Sequence, residues 1–178
     1  MNYAEIKNND IANGVGVRVS LFVSGCPHHC KGCFNEVTWD YNYGKPFDDN
    51  IINQIIEMLS QPHIKGLTLL GGEPMDPRNQ KDVLKLLRKI KNNEKTKEKD
   101  IWCYTGYLFD DLSNSQGKAY TKYTDEILSY IDIMVDGPFI LSKKSLSLEF
   151  RGSSNQRMID VQESLKQSKI VETTFRKK

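Results

Sequence analysis

Three of the chain's four cysteines, Cys26, Cys30 and Cys33, fall within the single stretch GCPHHCKGCFN. That cluster has to sit on a loop, because Pro27 and Gly32 prevent the segment from continuing as helix. The residues before it, 15–23, alternate apolar Val15, Val17, Val19, Leu21 and Val23 with Gly16, Arg18, Ser20 and Phe22. A period of two predicts a strand, ending at Ser24 and Gly25, that delivers the cysteine loop from its carboxyl end.

The rest of the chain repeats this arrangement. Residues 48–60 place Ile51, Ile52, Ile55, Ile56 and Leu59 on one helical face, with Asp48 or Asp49 as the cap. A short apolar run at 67–70 then enters the sequence GGEP at 71–74. Val83, Leu84, Leu87 and Ile90 mark a second amphipathic helix, and the polar run 91–100 is a solvated connection. Residues 101–104 (IWCY) predict a third strand, 113–117 a loop, 125–131 a short helix and 131–135 a fourth strand. Weaker strand signals follow at 146–150 and 157–161.

Strand–helix alternation implies right-handed crossovers and a mainly parallel α/β sheet. The units are too few for a closed eight-fold barrel, so an open, incomplete (β/α) barrel is expected. It forms a single domain, 1–178, with a core at about 15–161 and a C-terminal tail at about 162–178. In parallel α/β folds, ligands gather where loops leave the carboxyl ends of strands. The cysteine loop and GGEP should therefore share one rim.

Three thiolates spaced C-x3-C-x2-C can wrap one corner of an iron–sulfur cubane and leave one iron without a protein ligand. A zinc site is the competing reading, with His28, His29 or Cys103 as a fourth ligand. Structural zinc sites usually draw ligands as two separated pairs, and a cysteine inside an apolar strand is usually a small buried hydrophobe. The spacing favours iron–sulfur, with His28 and His29 as exposed loop residues. In GGEP, the glycines allow close approach of backbone to a ligand, and Glu73 can accept from a cationic amine. Trp39 and Tyr41 are expected to pack as a lid and Thr105 to sit in a strand exit, while the segments 136–139 and 151–157 read equally as docking loops or as turns.

Charge sets further bounds. Twenty-five Lys and Arg face 23 Asp and Glu, a net charge of +2, so the chain does not read as a nucleic-acid binder. The basic ending 175–178 reads as a solvated tail. No segment reaches the ~20 apolar residues that span a bilayer. The first ten residues lack the layout of a secretion signal, so a reducing, cytoplasmic setting is expected.

Together, C-x3-C-x2-C after the first strand and GGEP after the second resemble the radical S-adenosylmethionine (SAM) superfamily. CKGCFN, LLGGEPMDP, DIMVDGPF and FRGSSNQRMID resemble, within it, the activating proteins of anaerobic (class III) ribonucleoside-triphosphate reductases. Many superfamily members carry an aromatic before the last cysteine; Gly32 there, followed after Cys33 by Phe34, is similar to that subgroup.

The resemblance implies a radical SAM type of fold, with Cys26, Cys30 and Cys33 as ligands of one [4Fe-4S] cluster. It implies that SAM chelates the fourth iron, that Gly72 and Glu73 contact its amino group, and that the backbone of Gly32, Cys33 and Phe34 lines the adenosine pocket. The implied activity is reductive cleavage of SAM to a 5′-deoxyadenosyl radical, which generates a glycyl radical on the reductase. The implied partners are that reductase and an electron donor such as flavodoxin. The rival readings are an activase of another glycyl-radical enzyme, such as pyruvate formate-lyase, a small-molecule-modifying enzyme of the same superfamily, and a zinc-stabilised interaction module.

Overall fold

A computed structural model describes residues 1–175. Its strands are β1 (Asn2–Asp10), β2 (Val17–Val23), β3 (Lys45–Pro46), β4 (Ile64–Gly71), β5 (Asp100–Tyr104), β6 (Ile133–Asp136) and β7 (Arg157–Asp160). Its α-helices are α1 (Asp49–Leu59), α2 (Pro77–Lys91), α3 (Phe109–Leu112), α4 (Thr124–Tyr130) and α5 (Val161–Gln167). The strands form one mixed sheet in the order β3-β1-β2-β4-β5-β6-β7. Its middle, β2-β4-β5-β6, is parallel, as the alternation implied, while β1, β3 and β7 pair antiparallel.

Local chemistry starts both helices, α1 at one of the two expected caps and α2 at a cap the apolar period had not located. The Asp48 carboxylate accepts from Ile51 N–H at 3.0 Å and caps α1. Asp76 caps α2 in the same way through Arg78 N–H, ahead of Pro77, whose fixed φ suits a first helical turn. The apolar faces of α1, α2 and α4 pack on Val19, Leu21, Leu67, Leu69, Ile101 and Met134, which form the main core.

Alternate residues of the same strands point the other way. Trp102, Ile133, Val135 and Met158 make a second, smaller cluster there, with Phe150 and Phe175 against it. Arg18 is fully buried on this side. Its guanidinium meets Asp100 Oδ1 at 2.6 Å, Thr68 Oγ1 at 2.7 Å and Leu67 O at 2.8 Å, so the buried charge is paired and hydrogen-bonded.

Two expectations, at 146–150 and at 175–178, need correction. The ordered framework reaches beyond 15–161 at both ends: β1 begins at Asn2, and α5 is followed by a bridge between Ile159 and Glu172. Strand β1 escaped the reading because it is polar and only Tyr3 on it is buried. Residues 146–150 are turn and bend, not strand, because Leu146 faces outward instead of into a sheet. Of the ending 175–178, residues 176–178 lie outside the described residues, while the Phe175 ring sits 5.2 Å from that of Trp102. No helix among the described residues is long and apolar enough to cross a membrane.

Candidate functional site

A cavity of about 450 Å³ opens where the parallel strands end. Its walls come from the loop after β2, the end of β4, the end of β5, the loop after β6 and the segment before β7. Every residue expected at the site lines it: the three clustered cysteines, Gly32, Phe34, Gly72 and Glu73. The shared rim inferred from the strand order is therefore present.

Backbone contacts dock the two motifs together. Gly72 N–H donates to Val23 O at 2.7 Å, and Glu73 N–H donates to Gly25 O at 2.8 Å. The amide of Asn79, on α2, bridges Ser24 O at 3.0 Å and Glu73 O at 2.9 Å. Glycine is required at two of these positions. Gly71 has φ +104°, and a Cβ on Gly25 would run into the Tyr41 ring at 2.0 Å. Tyr41 is held in turn by Asp76, which its hydroxyl reaches at 2.8 Å, and by the Arg78 guanidinium 3.2 Å from its ring centre. It packs beneath the loop, whereas Trp39 lines the cavity and stacks on His29 with centroids 4.6 Å apart.

Cys26, Cys30 and Cys33 are free and half-buried, and backbone amides face their sulfurs. Asn35 N–H donates to Cys33 Sγ at 3.4 Å. Burial pushes the Cys26 thiol up to about 12, while N–H groups of His28 and His29 pull the other way. Burial also raises the Cys30 thiol, opposed by the N–H of Phe139 from the loop after β6. Amide donors around sulfurs are what an iron–sulfur cluster needs to hold its thiolates, and three thiols on one cavity wall suit a cubane with one iron left open. This donor set fits a [4Fe-4S] cluster.

The candidate fourth ligands are engaged elsewhere. Cys103 is fully buried within β5, on the helix-covered side, and does not line the cavity. His29 stacks on Trp39 and is not among the residues lining the cavity. His28 corrects the expectation of an exposed residue: its Nε2 lies 2.8 Å from Glu73 Oε2, with the edge of the ring against Tyr107. Among the described residues, no three His, Cys, Asp or Glu side chains are grouped to hold a single metal ion.

Glu73 is a meeting point that the sequence did not announce. Its buried carboxylate accepts from Met75 N–H at 2.9 Å through Oε1, and from Gly106 N–H at 2.7 Å and His28 through Oε2. Thr105 makes a strand exit, its hydroxyl accepting from Tyr107 N–H at 3.1 Å.

The segments 136–139 and 151–157 turn out to hold each other. Asn155 Nδ2 donates to Pro138 O at 2.8 Å, Gln156 Nε2 to Gly137 O at 3.1 Å, and Ile140 N–H to Ser153 Oγ at 3.2 Å. Buried Asp136 receives Arg157 through both oxygens and Phe109 N–H at 2.8 Å. This clamp forms the far wall of the cavity, lined by Phe139, Lys144 and Arg151, with Leu146 exposed at its mouth. The polar density of RGSSNQR was the available signal for it.

Comparison with known proteins agrees with the geometry. A family model described as "4Fe-4S single cluster domain" matches residues 12–159. The anaerobic ribonucleoside-triphosphate reductase-activating protein of Escherichia coli (strain K12) is 43% identical over 158 residues, covering 88% of this chain and 96% of that one. The chain belongs to the anaerobic ribonucleoside-triphosphate reductase-activating protein family. Members of the activating-protein family from Haemophilus influenzae and Enterobacteria phage T4 are 42% and 39% identical, with 96% and 93% of their lengths covered. The cysteine loop, GGEP and both halves of the 136–157 clamp all fall inside the 4Fe-4S domain match.

Proposed function

We propose that this chain is a radical SAM activase that generates a glycyl radical on an anaerobic ribonucleoside-triphosphate reductase. The reading rests on one observation: three thiols, with no fourth ligand grouped beside them among the described residues, share a cavity with the GGEP strand end in a chain of the activating-protein family. Cys26, Cys30 and Cys33 would hold the [4Fe-4S] cluster, and the iron without a cysteine is left to the amino and carboxylate groups of SAM. Held there, the reduced cluster would supply the one electron for cleaving SAM at S–C5′ into methionine and a 5′-deoxyadenosyl radical, the species that would take a Cα hydrogen from a partner glycine.

The chain's own residues bind, orient and enclose. Glu73 accepts the ammonium of SAM, with Gly72 allowing close approach, and the backbone of Gly32, Cys33 and Phe34 lines the adenosine side. Tyr104 and Phe139 supply aromatic surface to the cavity walls. The sheet, with its helices packed on one face and the cavity at the carboxyl ends of its parallel strands, is assigned as an incomplete (β/α) barrel of radical SAM type in a single domain. Flavodoxin or a similar one-electron carrier in the cytoplasm is the proposed donor.

The test is anaerobic reconstitution followed by incubation with SAM and reductant. About four irons per chain and 5′-deoxyadenosine release are expected. Stoichiometric zinc without iron–sulfur absorption overturns the reading. Assays with the reductase and with pyruvate formate-lyase separate the two activase targets.

A further inference from the structure

We propose that His28 is a positioning residue for the cationic ligand of this site, acting through Glu73; the inference rests on the reading that Glu73 receives the ammonium of SAM. An ionised carboxylate offers about four lone-pair positions. Three are taken by protein donors, two of them on Oε2, from Gly106 N–H and His28, and one on Oε1, from Met75 N–H. The position left for a ligand is therefore on Oε1. The two backbone donors belong to the loops that follow β4 and β5. His28 is the side-chain donor, and it comes from between two of the clustered cysteines.

Other residues are shaped around this contact. A Cβ on Gly106 would stand 2.4 Å from the His28 ring, so glycine there opens the path by which the imidazole reaches Glu73. The Tyr107 ring meets the imidazole edge-on, with centroids 4.5 Å apart and planes at 68°. A carboxylate can only accept, which places the imidazole proton on Nε2. His28, Glu73 and Gly106 thus tie together the cysteine loop and the exits of β4 and β5. The fully buried carboxylate cannot swing, and the cysteine loop is fixed in register with the ammonium acceptor. Without His28, Oε2 gains an open position, the carboxylate can rotate, and the ligand's amine loses its single defined acceptor.

The test uses anaerobically reconstituted protein with SAM and reductant, comparing His28→Ala, His28→Gln, Glu73→Gln and the double variant His28→Ala/Glu73→Gln. Gln carries an N–H donor near the place of Nε2. H28A should raise KM for SAM about tenfold, the weight of one lost charge-assisted hydrogen bond, with the larger loss in KM rather than in kcat. H28Q should recover most of that loss, and H28A should add nothing further in the E73Q background. The apoprotein supplies a readout independent of the cluster. H28A and E73Q should each lower its melting temperature by ~2–4 °C, and the double variant should go no lower than the worse single one.

Wild-type protein that fails to bind or cleave SAM overturns the functional reading itself. Wild-type protein that cleaves SAM, while H28A keeps its KM, or H28Q fails as H28A does, or the two substitutions add fully, overturns the role given to His28.

Discussion

Gly72 lies so close to Gly25 that a Cβ on Gly72 would stand 2.6 Å from the Gly25 carbonyl oxygen. The GGEP turn and the root of the cysteine loop therefore touch backbone to backbone, and a side chain on Gly72 would push them apart. Because the obstructing Gly25 oxygen is backbone, it cannot rotate away. Gly72→Ala is expected to lower stability by about 1–3 kcal/mol and to weaken SAM binding, measured by thermal unfolding and by equilibrium dialysis. A variant with unchanged stability and SAM affinity would mean that the two motifs do not rely on this contact.

The 136–157 clamp is held by a buried ion pair. Asp136 is fully buried and receives Arg157 Nε at 3.0 Å, while Arg157 also reaches Asp110 at 2.8 Å. Removing the carboxylate leaves Arg157 with Asp110 alone and strips the buried N–H of Phe109 of its acceptor. Asp136→Ala should cost about 3 kcal/mol in urea unfolding. Arg157→Lys should not restore the wild-type value, since an ammonium cannot make the paired contact.

The cysteines divide three against one. Cys26→Ala, Cys30→Ala and Cys33→Ala should each abolish iron–sulfur absorbance after reconstitution. Cys103→Ala should keep it, losing about 1 kcal/mol for the sulfur removed from the core at β5. A Cys103 variant without a cluster would overturn the ligand assignment.

Phe34 and Leu146, 97% and 94% exposed, both line the cavity mouth. Large apolar side chains held in water next to a site are suited to being covered by a partner. Leu146→Asp should raise the concentration of reductase needed for half-maximal activation by about tenfold. Titration of glycyl-radical yield against reductase measures it, and an unchanged midpoint would remove Leu146 from the interface.

What the sequence disclosed followed from burial. Strands β2, β4, β5 and β6 and helices α1 and α2 bury continuous apolar faces, so their periods were readable. Strand β1 sits next to the edge strand β3 and carries mostly polar side chains, so its pairing with β2 is visible only in three dimensions. Of the apolar residues at 146–150, Leu146 and Leu148 line the cavity and Phe150 packs on Trp102, so their alternation imitates a strand. At the site, the cysteine spacing and GGEP located the cavity. The His28–Glu73 contact did not show, because residues 45 positions apart meet only once the ends of β2 and β4 are side by side. The clamp was hidden for the same reason.

Electron paramagnetic resonance on an anaerobic mixture of the reduced protein, SAM and an anaerobic ribonucleoside-triphosphate reductase reaches the central claim most directly. A glycyl-radical doublet should appear on the reductase, and replacing wild-type protein with Cys30→Ala should eliminate it. A reductase that stays free of the doublet, mixed with protein whose cluster and SAM are both verifiably in place, would contradict the account.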